Sequence, residues 1–219
     1  MFSKPIFTNF SNKYGNNRWV VYSNKIQRIV YLYSDLEYAN WLKVENNPNI
    51  KYYCEQPIRI EVKNTEGKHK ESIPDMYLLY KNGTEIIQEI KYEKDLTKET
   101  VIRQIETQKR WCMENNYKHE VVTVKSLALN ALFLSNLKVL SKIDPLADLN
   151  FLEEVKKYIS NEPKTLDEIS NEMELDFEDV VEHFFSLIKS NEIGANITDL
   201  FLGPLTEVWS HEEKISREV

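Results

Sequence analysis

A predicted β-hairpin in the middle of the chain is the feature that most constrains its fold. Two apolar, strand-like runs, 76–80 and 85–91, are joined by a short polar turn that contains Gly83. β-Branched and aromatic residues favour strands, and glycine favours the tight turn between them. The two runs are therefore expected to pair as antiparallel strands in a sheet.

Charged residues lie at the end of this hairpin. Asp75 follows Pro74 and opens the first run, while Glu89 and Lys91 lie in the second run. Side chains alternate between the two faces of a strand, so Glu89 and Lys91 point to the same face. A hairpin can bring Asp75 beside them. Two carboxylates and an ammonium group on an apolar sheet predict a Mg²⁺ site with an adjacent lysine.

This set of groups has the chemistry that phosphodiester hydrolysis requires. We expect Asp75 and Glu89 to bind Mg²⁺, for which Mn²⁺ can substitute, and the backbone carbonyl of Ile90 to add an oxygen ligand. Lys91 would orient the attacking water or stabilise negative charge on the phosphate. The alternative is an exposed strand pair on which Glu89 and Lys91 are ordinary solvent-facing charges.

Four further polar residues have competing interpretations. Glu37 lies three residues after Ser34 in a capping-box pattern, so local sequence alone favours a role in capping a helix. Gln88 is predicted to lie on the sheet face opposite Glu89. Gln104 and Gln108 lie on the helix after the hairpin, where they are expected to be solvated, although they could reach a phosphate.

The order of the elements around the hairpin predicts an α/β core. The elements follow the order helix, three strands, helix, strand. In this order the strands are expected to form a mixed β-sheet, and the helices are expected to flank it. The expected elements of this part are strands 19–23, 29–33, 50–53, 58–62 and 120–124 and helices 34–46, 98–115 and 126–143.

The pattern changes to short helices from about Leu146 onward. Three helices and two short strands are the pattern of a winged-helix domain. The expected elements are helices 149–160, 166–174 and 177–191 and strands 193–197 and 205–209. The chain is therefore predicted to have two domains, residues 1–144 and residues 145–219.

Composition limits the compartment and the partners. No apolar run approaches the roughly 18–20 residues that span a bilayer, and the N-terminus has no signal-peptide pattern, so we expect a cytoplasmic protein without membrane contacts. The net charge of −7 argues against a general nucleic-acid coat protein. An acidic chain would bind DNA weakly alone, which favours a partner that delivers the DNA.

Five motifs together resemble the N-terminal domain of TnsA-type endonucleases, which are PD-(D/E)xK nucleases of the restriction-endonuclease-like superfamily and subunits of heteromeric bacterial transposases. The resemblance covers roughly residues 30–125. In chain order the motifs are Ser34-Asp35-Leu36-Glu37, Asn47-Pro48-Asn49-Ile50, Glu55-Gln56-Pro57-Ile58, Ile73-Pro74-Asp75 and Gln88-Glu89-Ile90-Lys91.

The resemblance implies Glu37, Asp75 and Lys91 as functional residues with bound Mg²⁺, and so favours Glu37 as a metal ligand. The family position two before the lysine can be Gln, whereas this chain has Glu89, a carboxylate that should strengthen metal binding. The implied activity is DNA cleavage at the 5′ ends of a transposon, while a partner transposase joins the 3′ ends. The C-terminal domain would contact DNA or a partner such as an ATP-dependent regulator.

Three alternatives remain on sequence grounds. The first is a stand-alone phage or host nuclease with the same core, and the second is a non-catalytic adaptor with a nuclease-like core. The third, a winged-helix transcription regulator, is disfavoured because the helix expected at 177–191 is acidic where it would read DNA.

Overall fold

The computed structural model describes residues 2–7, 17–63, 69–128, 130–144 and 149–211. The chain forms two compact units, the first made of Met1–Glu45 and Asn49–Leu129 and the second of Asn46–Pro48 and Asn130–Val219. The boundary after Leu129 lies earlier than the boundary predicted at residue 144. The physical reason is that Leu140 packs into the hydrophobic core of the second unit.

The first unit contains a four-stranded mixed sheet, two separate hairpins and flanking helices. In chain order its elements are β1 (Trp19–Ser23), β2 (Arg28–Leu32), α1 (Asp35–Asn46), β3 (Ile50–Glu55), β4 (Ile60–Lys63), β5 (His69–Ser72), β6 (Met76–Tyr80), β7 (Glu85–Ile90), a 3₁₀ turn (Glu93–Asp95), α2 (Glu99–Glu114), β8 (Lys118–Val122) and α3 (Val124–Leu127). The predicted mixed α/β core is confirmed.

The sheet has the strand order β3-β6-β7-β8. β6 pairs antiparallel with both β3 and β7, and β7 pairs parallel with β8. Strands β1–β2 and β4–β5 form the separate hairpins. The sheet centre is apolar, since Tyr77, Leu78 and Ile87 are essentially fully buried. Such a sheet must be covered by helices, so polar groups that it buries need partners inside the protein.

The helix predicted at 126–143 is not continuous. α3 ends at Leu127, and Ala128 has a left-handed backbone with φ 49°. A second helix, α4 (Ala131–Leu140), then begins with Asn130 as its N-cap, whose side chain accepts a hydrogen bond from the amide of Phe133. The left-handed residue ends α3, and the new N-cap starts α4. α3 therefore belongs to the first unit and α4 to the second.

The second unit combines helices with a small three-stranded sheet. After α4 its elements are α5 (Leu149–Val155), β9 (Lys164–Thr165), α6 (Leu166–Glu172), α7 (Phe177–Ser190), β10 (Gly194–Ala195) and β11 (Glu207–Trp209). The two predicted C-terminal strands do pair, although β10 and β11 are shorter than expected, and β11 also pairs with β9, which sequence reasoning missed. α5 ends at Val155, earlier than predicted.

An apolar cluster forms the core of the described part of the second unit. It is centred on α6 and α7, where Leu166, Ile169 and Phe184 are fully buried, and Val208 of β11 closes it from the sheet side. The close approach of β10 to β11 requires a glycine, because a Cβ at Gly194 would overlap the Trp209 ring.

Among the residues that the structure describes, no helix is both long enough and apolar enough to cross a lipid bilayer.

Candidate active site

The site lies where β6 begins and β7 ends. The amide of Asp75 donates to the Gln88 carbonyl at 3.0 Å, which extends the β6–β7 ladder by one residue. In return, the amide of Ile90 donates to Asp75 Oδ2 at 2.6 Å. The Lys91 amide then donates to the Val122 carbonyl at 2.9 Å, which continues the pairing with β8. The predicted hairpin therefore does bring Asp75 beside the end of β7.

The three predicted charged groups converge. Lys91 Nζ forms an ion pair with Glu89 Oε1 and lies 3.8 Å from Asp75 Oδ2. The Glu89 side chain is 0% exposed, whereas Asp75 and Lys91 are 17% and 22% exposed. The alternative of solvent-facing charges on an exposed strand pair is therefore excluded for Glu89. Lys91 Nζ also lies 3.4 Å from the Ile90 carbonyl.

Glu37 closes the start of α1 and also lies near this cluster. Its backbone amide donates to Ser34 Oγ, while its carboxylate accepts hydrogen bonds from Ser34 Oγ and from the Tyr33 amide, each at 3.0 Å. The capping interaction predicted from sequence is therefore present. Burial raises the pKa of Glu37, repulsion from Asp75 raises it further, and Lys91 partly offsets these effects, so Glu37 interacts electrostatically with the cluster.

The electrostatics of the cluster disfavour having all three carboxylates ionised. Burial and then repulsion from Asp75 raise the pKa of Glu37 to about 7 and that of Glu89 to about 8. Burial also raises the pKa of Asp75, and Lys91 only partly offsets this effect. Buried carboxylates that repel one another favour the uptake of a cation.

The available ligand atoms are of the type that Mg²⁺ prefers. Asp75, Glu89 and Glu37 provide carboxylate oxygens, and Ile90 provides a backbone carbonyl. Within the described residues, no three or more His, Cys, Asp or Glu side chains lie together in the arrangement of a metal site. The fit to magnesium therefore rests on the type of donor atom and on the negative charge of the carboxylates.

Two glutamines that were expected to be solvated instead bind Glu89. Gln104 Nε2 donates to Glu89 Oε1 at 2.7 Å, and Gln108 Nε2 donates to Glu89 Oε2 at 2.5 Å. Gln108 is 0% exposed. The four-residue spacing places both glutamines on one face of α2, and that spacing was the available sequence signal.

Gln88 lies on the opposite face of β7, as predicted, but it is buried. Its Oε1 accepts a hydrogen bond from Asn40 Nδ2 at 3.0 Å, and its Nε2 donates to Glu120 Oε2 at 2.7 Å. Gln88 therefore links α1 to β8 on the far side of the sheet and is not a part of the charged cluster.

One comparison with known families bears on this site. Residues 47–124 match the family model described as the TnsA-like endonuclease N terminal domain. The match includes Asp75, Glu89, Ile90 and Lys91, whereas Glu37 precedes it. No curated protein gives a significant match to the chain. The resemblance seen in the sequence motifs is therefore confirmed, and the matched segment is similar to the N-terminal domain of TnsA-like endonucleases.

Proposed function

We propose that this TnsA-like endonuclease domain hydrolyses DNA phosphodiester bonds with Mg²⁺ bound by its charged cluster. The main supporting observation is the convergence of Asp75, Glu89 and Lys91 at the buried end of the β6–β7 hairpin. Clustered ionisable groups with raised carboxylate pKa values are typical of functional sites. The expected products carry 5′-phosphate and 3′-hydroxyl groups.

The charged cluster divides into proposed metal ligands and one lysine that would donate hydrogen bonds to the phosphate. Asp75, Glu89 and the Ile90 carbonyl would hold the ion, and Glu37 would complete the set. Bound Mg²⁺ supplies an activated water and neutralises charge on the reacting phosphate. The hydrogen bond from the Ile90 amide orients Asp75, and the two glutamines orient Glu89.

Lys91 is suited to stabilise charge on the phosphate. Burial alone would lower the pKa of its ammonium group, but Asp75 and Glu89 outweigh burial and raise this pKa above its ordinary value. Lys91 therefore stays protonated at neutral pH. A protonated lysine donates hydrogen bonds to phosphate oxygens and to a water, but it cannot act as a general base.

We further propose that the chain is the subunit of a heteromeric transposase that cleaves the 5′ ends of a transposon in the cytoplasm. A partner subunit would join the 3′ ends, and an ATP-dependent regulator would control both. The motif resemblance and the net charge of −7, which disfavours strong binding to bare DNA, support this assignment. A stand-alone phage or host nuclease is the alternative.

The second unit is proposed to be a winged-helix-like domain. Its order of helix, strand, two helices and two strands, from α5 to β11, has the required connectivity. The first turn of α7 contains Glu178 and Asp179, and Glu182 follows one turn later. This charge opposes insertion of α7 into a DNA groove and therefore favours a protein partner.

Plasmid nicking tests the catalytic proposal. We expect the wild-type chain to convert supercoiled plasmid to nicked or linear DNA with Mg²⁺ or Mn²⁺ and to lose this activity in EDTA. Asp75→Asn, Glu89→Gln and Lys91→Met should each lower the rate by about 10²-fold or more. The matched control is Glu106→Gln, an exposed carboxylate on α2, which should cleave at the wild-type rate.

The alternatives predict different results. A non-catalytic adaptor predicts that all variants and the wild type give the same background in every metal. A stand-alone nuclease predicts that the purified chain cleaves any duplex rapidly at low protein concentration, whereas a transposase subunit without its partners should nick bare plasmid only slowly and at high protein concentration. If wild type and Asp75→Asn cleave equally well, the assignment of the active site is wrong.

A further inference from the structure

Gln108 is a buried polar side chain whose every hydrogen-bonding group has a partner. Its Nε2 donates to Glu89 Oε2 at 2.5 Å and to Ser72 Oγ at 2.8 Å. Its Oε1 faces His119 Nε2 at 2.9 Å. The side chain is 0% exposed and thus connects β5, β7 and β8 from its position on α2. Burying an amide in this way requires that all these partners be present.

The partners determine which way the amide points. Both protons of Nε2 are used by Glu89 and Ser72, so Oε1 must accept the proton of His119 Nε2. A rotated amide would place its oxygen against the Glu89 carboxylate, where two acceptors would repel each other. His119 therefore keeps the donor side of Gln108 directed at Glu89.

The two glutamines also replace the water that burial removes from the Glu89 carboxylate, because each donates a hydrogen bond to it. This carboxylate is fully buried, and its Oε1 is shared between Lys91 and Gln104. Gln108 is the donor to Oε2. Hydrogen bonds to both oxygens hold the carboxylate in one orientation, as a metal ligand requires.

We propose that Gln108, oriented by His119 and assisted by Gln104, is a positioning residue that sets the metal affinity of the site through Glu89. This inference rests on the proposed function, because it concerns the ion that Glu89 would hold. Partners of this kind hold a ligand in one orientation, and their removal typically weakens metal binding by about 10–100-fold. Gln108 itself need not touch the ion or the DNA.

Direct binding of Mn²⁺ to the full chain without DNA tests the proposal. Electron paramagnetic resonance of free Mn²⁺ would give the dissociation constant for wild type, Gln108→Met and Gln104→Met. We expect Gln108→Met to weaken binding by about tenfold or more. Gln104→Met should weaken Mn²⁺ binding less, because Gln104 is only partly buried. Excess Mn²⁺ should restore the nicking rate of Gln108→Met, a rescue that a folding defect would not show.

Gln88→Met is the matched control. Gln88 is a buried glutamine of β7 that also makes hydrogen bonds to two partners, but on the opposite face of the sheet. Its substitution should lower the melting temperature and leave the Mn²⁺ affinity unchanged. Equal loss of Mn²⁺ affinity in Gln88→Met and Gln108→Met would overturn the inference, because the effect would then follow from stability alone.

Two results separate the failure of this inference from the failure of the proposed function. Wild-type Mn²⁺ affinity in a folded Gln108→Met variant would overturn the inference and leave the nuclease assignment intact. If Gln108→Met does not fold, unchanged affinity in Gln104→Met overturns it in the same way. If wild type binds Mn²⁺ no better than Asp75→Asn, the metal centre and the inference are both wrong.

Discussion

At the scale of single residues, Glu37 has two roles that substitutions can separate. Ser34→Ala removes the capping hydroxyl but leaves the Glu37 carboxylate, so it should cost about 1 kcal/mol of stability and preserve DNA cleavage. Glu37→Gln keeps an oxygen for the cap but removes the charge, so it should reduce cleavage by about 10²-fold. Thermal unfolding and plasmid nicking measure the two effects. Full activity of Glu37→Gln would show that Glu37 is only a cap.

His119 predicts a pH dependence of stability. Burial, with a smaller contribution from Lys109, lowers the pKa of His119 from 6.5 to about 4. The folded protein therefore binds fewer protons at this site than the unfolded chain between these values. The stability that neutral His119 contributes is complete above about pH 6.5 and is lost as pH falls toward 4.

The difference between wild type and His119→Gln isolates this contribution. The raised carboxylate pKa values of the active site act in the opposite direction, since they favour the folded state at low pH, but they are common to both proteins. The free energy of unfolding measured by urea from pH 8 to pH 5 should fall more steeply for wild type. Parallel pH profiles would contradict the assignment of a half-buried, neutral His119.

The sequence contains enough information to place some of these residues and not others. Asp75, Glu89 and Lys91 are brought together by one local hairpin, so alternation and turn chemistry are sufficient to predict their meeting. The contacts of Gln108 depend on how α2 packs on the sheet, which no local pattern specifies. Polarity alone therefore indicated a solvated residue, and the four-residue spacing to Gln104 was the only available hint.

At the scale of elements, a buried carboxylate ties the β1–β2 hairpin to α1 and β3. Glu45 is 1% exposed and accepts hydrogen bonds from Ser23 Oγ and Tyr53 OH, each at 2.7 Å. The Tyr53 hydroxyl in turn accepts from Trp41 Nε1 at 2.6 Å. These contacts hold the helix that carries Glu37 against the central sheet.

Removing one hydroxyl from this network should destabilise the first unit. Tyr53→Phe leaves Trp41 Nε1 and one Glu45 oxygen without this partner, so we expect a loss of about 1–3 kcal/mol. The matched control on the same strand is Tyr52→Phe, whose exposed hydroxyl donates to the Ser3 carbonyl and whose loss should cost less than about 1 kcal/mol. Urea unfolding measures both, and equal costs would contradict the role of the network.

The helices and strands that have a strong local sequence pattern were predicted correctly. The predictions failed where one element gives way to the next, as between α3 and α4. The β6–β7 turn with Gly83 and the long amphipathic α2 have strong patterns. The apolar run 126–143 reads as one helix, yet Ala128 adopts a left-handed conformation that no residue type there demands. β9 is only two residues long and exists through its pairing with β11, so it has no periodicity of its own.

At the scale of the whole molecule, charge predicts weak binding to bare DNA. The chain has 28 Lys and Arg against 35 Asp and Glu. We expect a dissociation constant for random duplex DNA near 10⁻⁴ M at physiological salt, the weak end of the non-specific range. Fluorescence anisotropy at several salt concentrations measures it. Submicromolar binding by the chain alone would remove the argument for a partner that delivers DNA.

The central claim is that Asp75, Glu89 and the Ile90 carbonyl share one divalent ion next to Lys91. Anomalous diffraction from crystals soaked in Mn²⁺ tests this most directly. We predict a peak about 2.0–2.3 Å from oxygen atoms of all three residues, and no such peak in Asp75→Asn crystals. A peak elsewhere in the first unit, or none at this position with Mn²⁺ at saturating concentration, would contradict the account.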